Sequence, residues 1–557
     1  MTTFPRVLGI NRTQDASVCL IEESAVTSIQ KERYTRQKHD WGKVGDLGNL
    51  YVERFPALRE PVDLVVECYS SDDEVKQLRQ YQQELSNVLQ FRHSQRTLSI
   101  SHHLAHLYSS FYLSPFTEAA VMVIDFQGSA VQDCTESWAG REEAAPEWLE
   151  VGSFYSCNSD GNVCLSKQLW NGDRMQPVGL GAFYSCVTHM MFSGDGNDGK
   201  VMGLAPYGDP HALGLPALTV KDEKVFIPEA WLNIFRDPTR FAHFRGGAGT
   251  FKECANLAAA GQHCFEEALL LVVGWLYKQT KVKNLCFAGG TALNCVANGR
   301  LLRESPFEQI FVPPSPHDGG TALGCAIYGI NESLGQRRNF CFVNDFLGPE
   351  VDYSGVERLL EREAGLYVEK PSNLIGSMTE LLDGGRVVAL YHGRSELGPR
   401  ALGHRSILAD PRDARIRTYI NQYVKGRELF RPLAPVVLEE AASKFFDIDR
   451  PVPFMQFAVD VLPECRELIP AVTHVDGTAR LQTVSESQDP FLYSLLKSFE
   501  TRTGVGVLLN TSFNGPGEPI VETPAEALNC FKANAMHALA IPPYLIRKQV
   551  EPSVMER

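Results

Sequence analysis

The chain has no apolar run long enough to cross a membrane. Its longest, residues 268–276, falls well short of the about 20 residues that a spanning helix needs. It has no Cys-x-x-Cys pair, and its 14 cysteines are scattered along the length. Disulfide frameworks belong to short secreted chains, so free, mostly buried thiols in a reducing compartment are expected. The opening MTTFPRVLGI lacks a basic segment followed by a long apolar core, which argues against a signal peptide. A dominant basic stripe is missing too. The net charge is −14 and the isoelectric point about 5.5, whereas a nucleic-acid binder shows a basic face. These absences point to a cytoplasmic protein with no membrane or nucleic-acid partner.

What is present is the material of a large core, with 44% hydrophobic and 22% charged residues in 557. At about 150 residues per domain, two to four domains are expected. Residues 7–21 read as strand, turn and strand, with the turn at Asn11–Asp15. Residues 62–66, 119–124 and 285–287 are short β-branched or apolar runs, the pattern of buried strands. Helical patterns alternate with them, including a long one over residues 254–278, so the fold class is α/β. A break near residues 339–352 separates a second α/β region. There 387–391 and 506–509 read as strands, and Thr523 with Pro524 opens a helix. The expected domains are 1–345 and 346–557.

His102 and His106, in Ser101-His102-His103-Leu104-Ala105-His106, stand one helical turn apart and share a face. Leu104, Leu107, Tyr108 and Phe111 form an apolar stripe on that helix, and the histidine face lies opposite it. On such a non-core face the pair either binds a divalent metal or is simply solvated. Asp125 ends the apolar run 121–124. Ligands bind at the carboxyl ends of such strands, so Asp125 could ligate a metal, face a phosphate or cap a helix. Asp318 lies on the turn 314–320 ahead of a small-residue helix at 321–326, and could equally be its cap. Two histidines and two aspartates together would make a mixed nitrogen–oxygen site, which zinc, iron or manganese fits. Gly289 and Gly290 follow a strand and precede a helix, which lets a nucleotide approach the backbone, although packing also selects glycine there. Residues 194–200, GDGNDGK, nearly spell a phosphate-binding loop, but Val201 stands where Ser or Thr is required.

Residues 394–431 hold nine cations (Arg394, Arg400, Arg405, Arg412, Arg415, Arg417, Lys425, Arg427 and Arg431) against four acids. Such an excess in an acidic chain calls for an anionic ligand, and arginine suits phosphate. Arg480, Asn510 and Ser512 follow or end other strands and could complete the same pocket. The anion could be a nucleoside triphosphate, a phosphorylated metabolite, or both.

Several segments, in this order, carry a family resemblance: VLGIN with DAS, ERYTRQKHD, HHLAH, GKVMGLAPYG, AGGTALN, VPPSPHDGGTALG, ELGPRALGHRSILADPR, FRPLAP and LNTSFNGPGEPIVETPAEAL. The chain resembles the carbamoyltransferases of the nodulation-factor, cephamycin and tobramycin type over nearly its whole length. The resemblance implies an actin/Hsp70-like (ASKHA) N-terminal domain, similar to the tRNA threonylcarbamoyl-transfer subunit, and a YrdC-like C-terminal domain. It implies two steps: carbamoyl-adenylate formation from carbamoyl phosphate and ATP, then transfer to a hydroxyl or amine of a small natural-product acceptor. By similarity, Arg400, Lys425, Arg431, Arg480, Asn510 and Ser512 bind carbamoyl phosphate and ATP. His102, His106, Asp125 and Asp318 hold the metal, iron(II) in the family. Gly289, Gly290, Asn294 and Lys200 contact the nucleotide in the N-terminal domain. Magnesium accompanies ATP, and a homodimer is implied.

One departure stands out. Family members carry His-Asp before Ala-Ser in the first turn, and here Gln14-Asp15 stand there. Glutamine cannot take a proton at neutral pH, so Asp15 is the replacement base expected, unless the acceptor is a better nucleophile. Acceptor specificity is expected in loops at 36–41 and 155–175. Two other readings compete: a tRNA threonylcarbamoyl-transfer enzyme, which the acidic balance opposes, and an ATP-binding homologue with little or no catalysis, which leaves the arginine-rich region without a purpose.

Overall fold

A computed structural model describes residues 4–550 apart from 24, 71–76, 95, 195, 336–339 and 341. The chain divides into two compact units. The first comprises residues 1–31 and 39–342, the second 32–38 and 343–557.

The first unit is built on two five-stranded sheets. One contains β1 (Val7–Asn11), β2 (Ser17–Glu22), β3 (Ala25–Gln30), β4 (Leu64–Tyr69) and β5 (Thr97–Ser101), in the order β3-β2-β1-β4-β5. The β1–β2 and β2–β3 pairs are antiparallel, while β1–β4 and β4–β5 are parallel. The other contains β6 (Ala119–Ile124), β7 (Leu149–Asn158), β8 (Gly161–Trp170), β9 (Asn284–Ala288) and β10 (Gln309–Phe311), in the order β10-β9-β6-β7-β8. Its senses repeat those of the first: two antiparallel pairs, β6–β7 and β7–β8, then two parallel ones. Every residue of β1, β4 and β6 is buried, which explains their near-continuous apolar runs.

Residues 149–170, expected in part as a specificity loop, are a long hairpin instead. Ser159 and Asp160 form the two-residue turn, and Gly161, which opens β8, takes φ +149.

Helix α1 (His102–Phe111) begins where β5 ends. Ser101 caps it, its hydroxyl accepting from the Leu104 amide. Helix α2 (Phe251–Thr280) opens with a capping box between Thr250 and Glu253. Although no continuous apolar run suggested a span, this helix is by length and composition long and apolar enough to cross a membrane; 72% of its most apolar window is buried inside the protein. Helix α3 (Thr321–Tyr328) packs backbone to backbone on its neighbours. A Cβ on Gly9 would lie 1.9 Å from Ala322 O, and one on Gly324 would lie 1.9 Å from Ala105 O. This close approach sets the residues just before α3 beside α1.

The second unit has one mixed eight-stranded sheet. Its strands are β11 (Leu366–Glu369), β12 (Val388–Tyr391), β13 (Arg405–Ala409), β14 (Ala434–Leu438), β15 (Gln482–Val484), β16 (Val507–Ser512), β17 (Ala538–Ile541) and β18 (Tyr544–Lys548). The order is β11-β18-β17-β12-β13-β16-β14-β15. Helices α4 (Leu374–Asp383), α5 (Pro490–Thr503) and α6 (Pro524–Ala533) accompany it. Thr523 caps α6, with Pro524 at the first helical position. Arg480 ends a short strand, Thr478–Arg480, paired with Ala458–Asp460.

Candidate active site

In the first unit, four side chains converge from three places in the fold. His102 and His106 come from α1, Asp125 follows β6, and Asp318 precedes α3. Their candidate ligand atoms all lie within 4.8 Å of one another. The two Nε2 atoms are 3.2 Å apart. His102 Nε2 is 3.2 Å from Asp318 Oδ1 and 3.9 Å from Asp125 Oδ2. His106 Nε2 is 3.3 Å from Asp125 Oδ2 and 3.6 Å from Asp318 Oδ1. Ligands about 2.1 Å from a tetrahedral ion stand about 3.4 Å apart, which these separations straddle.

The expected solvent-facing histidine face is not found. Both imidazoles are fully buried, as is every residue of α1, because the helix is enclosed on all sides. Nor do the aspartates act as helix caps. Asp318 Oδ2 accepts from Thr13 Oγ1 at 2.7 Å, and Asp125 accepts from the Phe126 and Gly290 amides.

Burial alone would lower the His102 pKa, but Asp318 and Asp125 outweigh it and hold the imidazole well above its usual range. Burial would raise Asp318, but both histidines hold it well below the usual carboxylate range. Two carboxylates that draw positive charge onto the histidines in this way also suit a metal ion. The donors fit a divalent cation.

The glycine pair lies at the same junction. A Cβ on Gly289 would meet Ile124 O at 2.2 Å, so close packing on β6 requires glycine there, and the Gly290 amide donates to Asp125. Asn294 and Lys200 do not join them. Asn294 caps helix Cys295–Glu304 and exchanges two hydrogen bonds with Gln262. Lys200 sits on helix Asp198–Leu204 with its ammonium 5.1 Å from the Phe192 ring centre.

Asp15 has left-handed backbone, φ +52, and its Oδ1 lies 2.9 Å from His39 Nδ1. His317 Nε2 lies 3.7 Å from its other oxygen. Spacing gave no hint of His39, which lies inside ERYTRQKHD but far from Asp15 in sequence.

In the second unit the nine cations separate. Arg412 pairs with Asp410 and Asp383, and Arg415 with Asp413. Arg405 donates to the carbonyls of His392, Gly393 and His404. What remains is a crowd of like charges. Burial lowers Arg427 well below its usual range, and Arg431 and Arg480 push it further. Burial and Arg480 lower Arg431 although Glu428 opposes them. Burial and Arg427 carry Lys425 well below the usual ammonium range. The Lys425 ammonium donates to Ser512 O and Oγ and to Asn514 O and Oδ1. Asn510 Nδ2 donates to Ala401 O at 3.1 Å and to Gln482 Oε1 at 2.8 Å, tying the Arg400 loop to β16.

That loop is organised by Glu396, which sequence reasoning overlooked. Its Oε1 accepts the amides of Leu402, His404 and Arg405 at 2.8, 2.9 and 3.1 Å. The signal was an acid opening a Gly/Pro loop after a strand.

An α/β protein with a His/Asp tetrad on buried histidines in one unit and crowded, mostly half-buried cations in the other fits group-transfer chemistry on anions. The N-terminal carbamoyltransferase family pattern matches residues 64–327 and the C-terminal pattern residues 379–548. The chain belongs to the carbamoyltransferase family and is a carbamoyltransferase. A Synechocystis sp. protein, sll1178, is 32% identical over 98% of this chain and 97% of its own. Nodulation protein NolNO of Sinorhizobium fredii is 36% identical over 81% of this chain and 64% of its own. The 3'-hydroxymethylcephem-O-carbamoyltransferase of Amycolatopsis lactamdurans is 30% identical over 76% of this chain and 75% of its own.

Proposed function

We propose that this enzyme makes carbamoyl-adenylate in its second unit and consumes it in its first, O-carbamoylating a small natural-product acceptor in the cytoplasm. In the first step carbamoyl phosphate, ATP and one water give carbamoyl-adenylate, orthophosphate and pyrophosphate, with magnesium accompanying ATP. In the second, an acceptor hydroxyl forms a bond to the carbamoyl carbon while the bond from that carbon to the adenylate oxygen breaks. AMP leaves with the electron pair. A YrdC-like second unit and an actin-like first unit are part of this reading, and the repeated order and sense of the two five-stranded sheets support the latter.

The observation that carries the reading is the crowding of Lys425, Arg427, Arg431 and Arg480. Crowded cations, Lys425 buried and the three arginines half-buried, that depress one another's pKa leave an electrostatic deficit that a polyanion offsets. Bringing two phosphorylated substrates together needs such a field. Arg400 and Arg431 then neutralise phosphate oxygens. Lys425 is oriented by Ser512 and Asn514, and Asn510 fixes the Arg400 loop.

In the first unit, His102, His106, Asp125 and Asp318 hold iron(II) or another divalent ion, which supplies Lewis acidity when bound. Gly290 orients Asp125 through its amide, and Thr13 orients Asp318 through its hydroxyl. The test separates the units. Arg431→Ala should abolish the pyrophosphate burst. His102→Ala should keep that burst, lower bound metal in elemental analysis, and stop AMP release. Equal loss of the burst in both variants would contradict this division.

A further inference from the structure

We propose that Arg33 and Arg36 are positioning residues for carbamoyl-adenylate formation, each bracing one of the two loops that carry substrate-binding side chains in the second unit. The inference rests on the two-step reading above. Residues 32–38 belong to the second unit, although the residues before and after them belong to the first. They lie inside ERYTRQKHD, far in sequence from every other part of that unit.

The segment starts as a short helix, Lys31–Thr35. Arg33 is buried, its side chain 2% exposed. Its Nη2 donates to Gly398 O at 2.9 Å and to Glu396 O at 3.4 Å. These carbonyls stand two and four residues before Arg400, in the loop whose amides Glu396 gathers. Gly398 has left-handed backbone, φ +106, outside helix and sheet geometry, so its buried carbonyl takes its partner from a side chain.

Arg36 holds the other loop. Its Nη1 donates to Ile520 O and its Nη2 to Pro519 O, both at 2.7 Å. That stretch begins at Ser512, where β16 ends, and passes through Asn514; both residues orient the Lys425 ammonium. It is closed on itself by Asn514 Nδ2 donating to Glu518 O at 2.6 Å and by the Val521 amide donating to Phe513 O. Two nitrogens of one planar fork on successive carbonyls is a fixed geometry that arginine offers and a lysine ammonium does not. Arg36 itself has left-handed backbone, φ +60, a conformation that persists where the surroundings hold it.

The two loops are joined at Glu522. Its Oε1 accepts from Ser395 Oγ at 2.8 Å, and Arg33 Nη1 lies 3.8 Å from its Oε2. Both guanidiniums therefore act through the loops, fixing Arg400 on one and the partners of Lys425 on the other. Joining two phosphorylated substrates depends on where those cations stand, and a misplacement of about 1 Å costs about 100-fold in rate.

The test follows first-turnover pyrophosphate release from the full chain with carbamoyl phosphate, ATP and magnesium, reading rate constant and amplitude separately. In Arg36→Ala, whose side chain is 26% exposed, the rate constant should fall about 10- to 100-fold while the amplitude stays within about twofold of wild type. Arg36→Lys keeps the charge without the fork and should reach less than about a third of the wild-type rate constant. Arg33→Ala should lower the rate constant in the same way. Amide hydrogen exchange should quicken over residues 400–405 in Arg33→Ala and over 513–521 in Arg36→Ala. Where the buried Arg33→Ala does not fold, Arg36→Ala decides. A rate constant within about threefold of wild type in Arg36→Ala overturns the proposal. So does a fall in amplitude alone, because the arginine then only keeps the chain folded. Full recovery in Arg36→Lys also overturns it, because charge and not the fork then matters. A wild type without a pyrophosphate burst overturns the two-step reading instead.

Discussion

Glu396 carries no charge to a substrate in this account, yet its removal should be among the most damaging changes in the second unit. The side chain is 2% exposed. One oxygen accepts three backbone amides from Leu402, His404 and Arg405. In Glu396→Ala those three buried donors lose their acceptor, at about 1–3 kcal/mol each. Water entering the space left behind recovers part of this, so a loss of about 3–5 kcal/mol is expected, high for one substitution. Glu396→Gln keeps an oxygen acceptor and loses only its charge, for about 1–2 kcal/mol. A chain of two units need not unfold in one step, so amide hydrogen exchange over residues 400–410 is the better assay. Protection there should fall by about 100-fold or more in Glu396→Ala, since about 1.4 kcal/mol is a factor of ten. The pyrophosphate burst should vanish with it, because the loop carries Arg400. Unchanged protection together with an intact burst would refute the reasoning.

Other outcomes follow from particular contacts. Lys425→Met should cut the pyrophosphate burst at least 100-fold while leaving the protein folded, because methionine fills the stem but cannot meet the Ser512 and Asn514 oxygens; circular dichroism and burst amplitude check both halves. Gly324→Ala should cost about 3 kcal/mol or more by forcing α3 away from Ala105 on α1, and bound metal should fall with it; urea unfolding and elemental analysis read the two. Two buried groups give opposite pH effects. Burial pushes His404 down to about 4, so the unfolded chain binds its proton first and stability falls as pH drops from about 6.5 to about 4. Burial pushes Asp489 up to about 6, so the folded chain binds first and stability rises as pH drops from about 6 to about 4. Each is worth about 3 kcal/mol, and in wild type they offset. Asp489→Asn keeps the helix cap at Phe491 and Leu492 and should make unfolding midpoints fall more steeply below pH 6.5 than in wild type.

Much of the secondary structure was legible because its signals are local. The apolar run 119–124 is a strand at those bounds, and Thr523-Pro524 starts a helix. The hairpin over 149–170 was missed because Ser159-Asp160, with Gly161 after it, was not weighed as a turn. The His102/His106 pair was readable from spacing, but its surroundings were not. Periodicity tells which residues share a face, and says nothing of a helix enclosed on every side. Strand-end logic singled out Asp125 and a turn ahead of a helix singled out Asp318, yet their meeting depends on α3 approaching β1 and α1 through Gly9 and Gly324. The cation count in residues 394–431 overstated one patch, because Arg412 and Arg415 are neutralised by acids two residues away. His39 was invisible as a partner of Asp15, since no local rule pairs residues across a hairpin and a loop.

Pyrophosphate release from ATP, measured with and without carbamoyl phosphate on folded protein supplied with magnesium and iron(II), tests the central claim most directly. The account predicts a burst near one equivalent per active site that appears only with carbamoyl phosphate. Release that is absent, or equal in its presence and absence, would contradict it.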